Sequence, residues 1–114
     1  MKIEKIIQLL DAKMLCGHHR ISDEISNAFS SDLMSDVLTL DAENILLLTG
    51  LANVQIIRTA EVADIHHLVI VRNKKITNDI VELATELNMV IIESPYSMYK
   101  ASGILYANGL NPIY

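Results

Sequence analysis

Three short apolar runs dominate the second half of the chain: Ile45–Leu48, Leu68–Val71 and Val90–Ile92. They recur at near-equal intervals, and each is followed by a segment with helical periodicity. That rhythm is the spacing of consecutive βα units. Runs without polar alternation suit parallel strands covered on both faces. The fold class that follows is α/β, three-layered, with a central mixed or mostly parallel sheet flanked by helices and three βα units in its C-terminal part.

The segments between the runs support this. Ile80, Leu83, Ala84 and Leu87 share one helical face, opposite Glu82, Thr85 and Glu86, and Thr77, Asn78 and Asp79 offer caps. A helix over about Asn53 to Ala63 buries Ile56, Ile57, Ala60 and Ala63 and turns Gln55, Arg58, Thr59 and Glu61 elsewhere. A last helix follows Ser94 and Pro95, carries Met98, Ala101, Ser102 and Leu105 on one stripe, and stops at Asn108 and Gly109.

The first half is less periodic. Ile3, Ile6, Ile7 and Leu10 form a helical stripe, Lys13 to Cys16 a strand, and Glu24 to Phe29 a second strand after the polar GHHRISD. A helix over about Asp32 to Leu40, capped by Ser31, completes it. No linker or low-complexity tract interrupts residues 1–114, so the expectation is one domain.

Composition bounds the function. Half the residues are apolar (51%) and 20% are charged, which excludes disorder and is high in apolar content for a small domain. Apolar surface shared in a homodimer is the expected reason. A net charge of −5, without a basic run interleaved with aromatics, argues against nucleic acid. MKIEKIIQLL lacks a signal-peptide cleavage site, and no apolar run approaches the roughly 18 residues of a membrane span. The lone Cys16 reads as a small buried thiol, and a cytoplasmic setting is expected.

In open α/β sheets, ligands bind beyond the carboxyl ends of the strands. Those ends are Thr49-Gly50-Leu51-Ala52-Asn53, Arg72-Asn73-Lys74-Lys75 and Glu93-Ser94-Pro95-Tyr96. TGLAN has two readings. In one, Gly50 makes a tight turn and Asn53 caps the next helix. In the other, the loop and helix N-terminus cradle an anion. Neither a P-loop nor GxGxxG is present. Asp32 and Asp36, spaced to share one helix side, read either as helix-capping acids or, with Ser35, as a polar cluster facing a ligand or a partner. The candidate ligand-binding set is Asp32, Ser35, Asp36, Thr49, Gly50, Asn53, Gln55, Arg58, Thr59 and Ser94.

The pairs His18-His19 and His66-His67 raise the question of a metal. Neighbours in a strand point to opposite faces, and no zinc-ligand spacing is present, so no metal site and no cofactor are expected. A Ser-His-Asp triad lacks its GxSxG elbow.

SDLMSDVL, LLLTGLANVQIIRTAEVADI and an apolar strand followed by Ser94 and a helix ending ILYANGL together resemble the DRTGG domain family over nearly the whole chain. The name-giving pentapeptide is absent, and TGLAN and RTAEVAD occupy the related region. The resemblance implies a fold similar to the N-terminal domain of HPr kinase/phosphorylase, here without a P-loop. It also implies a role in regulation or dimerisation, as where such domains accompany CBS domains in pyrophosphatases or occur in phosphotransacetylases. The expected function is a non-catalytic, homodimeric regulatory or scaffolding module that binds a nucleotide or other anionic metabolite and serves a partner enzyme. The alternatives are a small enzyme using Asp32, Asp36 or a histidine, and a structural partner protein without a ligand.

Overall fold

The structure, a computed structural model, describes residues 1–114. Its strands are β1 (Lys13–Cys16), β2 (Asn27–Ser30), β3 (Ile45–Thr49), β4 (His67–Ile70), β5 (Val90–Glu93) and β6 (Asn111–Pro112). They form one six-stranded sheet in the order β1-β5-β4-β3-β2-β6. All neighbours run parallel except β1, which is antiparallel to β5. The helices are α1 (Ile3–Leu9), α2 (Met34–Val37), α3 (Val54–Val62), α4 (Asn78–Glu86) and α5 (Met98–Ala107).

The alternation of side chains along each strand divides the core in two. Leu47, Leu68, Ile70 and Ile91 face α2, α3 and α4, meeting Val37, Ile56, Ile57, Ala60, Ile80 and Ala84. Leu46, Leu48, Val69, Val90 and Ile92 face α1 and α5, meeting Ile3, Ile6, Ala101 and Leu105. Because both faces are covered, all five residues of β3 and all four of β4 are buried, which explains the apolar runs Ile45–Leu48 and Leu68–Ile70 within them. Each such Leu or Ile contributes roughly 1.5–3 kcal/mol through burial. The three-layer, mostly parallel α/β architecture is the one expected from the sequence. No helix is long and apolar enough to cross a membrane.

Chain direction explains the layering. From β2 to β5 the chain steps to the adjacent strand each time, with α2, α3 and α4 on one face. From β5 it crosses to the other face, and α5 returns it over the sheet to β6, beside β2.

Several local expectations need correction. The second strand is Asn27–Ser30, and Glu24 instead makes an isolated bridge with Lys2. The helix expected from Asp32 to Leu40 is only Met34–Val37, with Leu33 at its cap position and no side-chain cap. Ser31 accepts a hydrogen bond from the Leu33 N–H at 3.0 Å, making a local turn before the helix. Asp32 therefore precedes α2 and does not share a helix side with Asp36. The last helix is capped by Ser97, which accepts from the Lys100 N–H, and so starts later than Ser94-Pro95 suggests. His18 and His19 lie in a short 3-10 helix (His18–Arg20), and only His67 of the second pair is in a strand. Cys16 is buried and unpaired, as expected.

Candidate functional site

The carboxyl ends of the parallel strands form one polar edge. At its centre, β3 ends in Thr49 and passes through Gly50 into α3. Asn53 caps that helix as the sequence suggests, its Oδ1 accepting from the Ile56 N–H at 2.9 Å. As the first two N–H groups of the helix, those of Val54 and Gln55 have no intrahelical acceptor.

Asp32 reaches this junction from the end of β2. Its Oδ1 accepts from the Gly50 N–H at 2.6 Å and from the Thr49 hydroxyl at 3.0 Å. Thr49 Oγ1 in turn accepts from the Leu51 N–H at 3.2 Å. Two donors of a TGLAN anion cradle, the Gly50 N–H and the Thr49 hydroxyl, are thus taken up by an internal carboxylate, and a third, the Leu51 N–H, by Thr49 itself. Neither reading of Asp32 from the sequence foresaw this, because it caps the β3–α3 junction and not its own helix.

Arg72, absent from the sequence-derived set although its segment was recognised as a strand end, completes the edge. It follows β4 with φ 68°, and Asn73 follows with φ 54°. Two consecutive left-handed residues without glycine are uncommon, costing on the order of 1–3 kcal/mol each, and such conformations cluster at ligand sites and switches. They are held by bonds from the Arg72 N–H to the Tyr96 carbonyl (2.7 Å) and from the Asn73 N–H to the Ser94 carbonyl (3.1 Å). Arg72 takes part in none of the chain's ion pairs. Lys74 and Lys75 follow on the same loop.

The crossover places the topological switch between β4 and β5, since α4 and α5 leave those strands toward opposite faces. The two backbone bonds just described bridge that crevice. Ser94 lines it from within: it is buried, donates to the Leu10 carbonyl at 2.8 Å and accepts from the Tyr96 N–H at 3.3 Å.

Of the sequence-derived set, the structure gathers Asp32, Thr49, Gly50 and Asn53 around one junction. Ser35 and Asp36 are exposed on α2, and Gln55 is exposed in the first turn of α3. Arg58 lies further along α3 and pairs with Glu61 at 3.2 Å, with Thr59 beside it. Ser94 is inside.

The histidines do not converge. At the opposite edge His67 is 4% exposed and its Nε2 lies 2.9 Å from Asp23 Oδ2, which also accepts from Arg20 Nε at 2.7 Å. Burial pushes the His67 pKa down, outweighing the attraction of Asp23, so the ring is neutral and donates. Despite some burial, the Asp23 carboxyl is held below its usual value by the His67 and Arg20 hydrogen bonds. His66 pairs with Asp64 at 3.0 Å, and His19 with Asn88 at 2.8 Å. No three His, Cys, Asp or Glu side chains come together as metal ligands.

A groove of roughly 760 Å³ runs between α5 and the β2–β6 edge. Ala28, Leu48, Gly103, Ala107 and Ile113 line it beside exposed Tyr99 and Tyr106. Lys100 is its only charged lining residue, and that ammonium sits 3.9 Å over the Tyr96 ring.

Strand order, one-directional steps with a single return and a polar carboxyl edge define a three-layer α/β domain with a mostly parallel sheet, and the comparison with solved structures makes the fold DRTGG-like. Among solved structures the chain is similar to the crystal structure of the CBS and DRTGG domains of the regulatory region of Clostridium perfringens pyrophosphatase, complexed with its activator diadenosine tetraphosphate. The TM-score is 0.76 at 16% identity, over 91% of this chain and 45% of that one. At this identity the likeness is one of fold, and the chain spans less than half of that regulatory chain. No family model and no curated protein matches the sequence.

Proposed function

We propose that the chain is a non-catalytic regulatory module of a cytoplasmic protein, homodimeric, which binds a nucleotide or other anionic metabolite at the carboxyl edge and acts on a partner enzyme. The observation that carries this reading is the meeting of three strand ends at Gly50, where an unpaired Arg72 stands in a strained loop. The similar regulatory region, which holds a nucleotide activator, supports the ligand class.

The groove along α5 supports the dimer. A two-fold interface brings identical patches together, and a mostly apolar patch whose one charged side chain is Lys100 is self-compatible. An enzyme working through Asp32 or a histidine has less support, because Asp32 Oδ1 is committed to the β3–α3 junction and His67 is sealed against Asp23.

Sedimentation and a thermal-shift screen of nucleotides and phosphometabolites test this. The expected results are a dimer mass, reduced to monomer by Tyr106→Glu, and a ligand that at 100 times its Kd adds about 2.7 kcal/mol of stability. A monomer that no compound stabilises refutes it.

A further inference from the structure

Gly50 is a glycine that its own backbone does not require. The left-handed glycines of the chain are Gly17 and Gly109, and Gly50 is not among them, so an alanine is conformationally permitted there. What the missing side chain provides is room, which the Arg72 guanidinium and the Asp32 carboxylate take up. A Cβ on Gly50 would lie 3.2 Å from Arg72 Nε, 3.3 Å from Arg72 Nη2 and 3.2 Å from Asp32 Oδ2. A cation from the β4 end and an anion from the β2 end thus approach one point without pairing with each other. The Arg72 guanidinium has no ion-pair partner, while Asp32 spends Oδ1 on the Gly50 N–H and the Thr49 hydroxyl, which leaves Oδ2 toward that point.

We infer that Asp32, Gly50 and Arg72 form a two-pronged site for a small phosphorylated polyol, such as a nucleotide or a sugar phosphate. The guanidinium takes a phosphate, and Asp32 Oδ2, which lies beside it against Gly50, accepts from a sugar hydroxyl on the solvent side, where both side chains are exposed. This rests on the reading of the carboxyl edge as the ligand edge and goes further in saying what is read there. A bare anion is disfavoured: at Arg72 it also faces the Asp32 carboxylate, and the Gly50 N–H that would offset this is already spent. A molecule carrying both a phosphate and a hydroxyl satisfies both prongs. Planar, bidentate donation suits Arg72 to phosphate, and Lys74 and Lys75 on the same loop add charge for a longer phosphate chain. The successive left-handed residues Arg72 and Asn73 fix the loop that carries the guanidinium.

Calorimetric titration of the full chain with ATP, ribose 5-phosphate and inorganic phosphate tests the site, with amide chemical shifts to locate binding. The variants are Gly50→Ala and Arg72→Gln. Of the atoms crowded by the new methyl, those of Arg72 end a flexible side chain, while the Asp32 carboxylate, held through Oδ1, must give by a few tenths of an ångström, so Gly50→Ala folds with a small loss of stability, and a cooperative melt a few degrees or less below that of the wild type verifies this. The expected result is that ATP or ribose 5-phosphate binds at least about tenfold more tightly than phosphate, that shifts centre on Gly50 and Arg72, and that each variant weakens binding by about tenfold or more. Phosphate binding as tightly as the phosphorylated sugars, or affinity unchanged in both variants, overturns the two-pronged site. Binding with shifts elsewhere overturns it while leaving a ligand-responsive module standing. No binding by any of the three removes both the site and the nucleotide part of the functional reading, and leaves the dimer to be judged by its mass.

Discussion

Asp32 Oδ1 accepts the Gly50 N–H at 2.6 Å, so the end of β2 is fastened to the first residue beyond β3 by a charge-assisted bond. The same oxygen takes the hydroxyl of fully buried Thr49. One carboxylate thereby sets the relation of two neighbouring strand ends and the entry into α3.

Removing it leaves two donors without acceptors. Asp32→Ala is expected to lower stability by about 1.5–3 kcal/mol, while Asp32→Asn, which keeps a neutral acceptor oxygen, loses about 1 kcal/mol. Urea unfolding measures both. Equal midpoints for wild type and Asp32→Ala would show that the junction does not depend on the carboxylate.

His67 gives the fold a pH dependence of definite sign. Its pKa is lowered in the folded state, so below the usual histidine value of about 6.5 the unfolded chain takes up a proton that the folded chain refuses. Its effect is absent above that pH and becomes increasingly destabilising as pH falls toward the folded-state pKa, at up to about 1.4 kcal/mol per pH unit. The lowered pKa of Asp23 adds a further loss at more acid pH, where that carboxylate is protonated. Unfolding free energies between pH 7.5 and 5 should show the slope in wild type and a shallower one in His67→Gln. Identical slopes would contradict the assignment.

The glycines separate conformation from space. At Gly17, φ is 81° and a Cβ would come within 2.8 Å of the Met89 carbonyl oxygen, which is backbone and does not yield. Gly17→Ala should cost more than about 2 kcal/mol. Gly109→Ala, with φ 96° and open space around it, should cost only the left-handed penalty of about 1–2 kcal/mol. Gly50→Ala, with an ordinary φ but 3.2 Å contacts to Arg72 Nε and Asp32 Oδ2, should cost less than either. Melting temperatures in the order Gly50→Ala, Gly109→Ala, Gly17→Ala, highest first, are the expected result.

The sheet was legible because burial on both faces writes itself into sequence as unbroken apolar runs, and Lys13 to Cys16 falls on β1 residue for residue. The caps of α3 and the stripe of α4 were legible for the same local reason. What local pattern misrepresents is Asp32: its spacing from Asp36 mimics a helix face, but a hydrogen bond to a residue on another strand draws it out of α2. Arg72 is hidden in the opposite way. An arginine after a strand reads as a solvated loop cation, and its approach to Gly50 appears only when β2, β3 and β4 set their ends side by side. Gly50 looked like a turn residue because glycine in a turn is usually there for φ, and only the surroundings show otherwise. The β6 strand, two residues with a proline, carries no periodic signal at all.

The return of α5 across the sheet also bears on the order in which the molecule assembles and opens. Pairing within β2, β3, β4 and β5 joins near neighbours in sequence, whereas the Asn27 side chain meets the Pro112 carbonyl across 85 residues, in a contact that extends over a two-residue strand. Closing so long a loop for so few bonds brings the least return for its entropy. The β2–β6 seam is therefore the last to close in folding and the first to part under mild denaturant, and hydrogen exchange should find it the least protected margin of the sheet. When it parts, β2 becomes a free edge able to accept a strand from another chain.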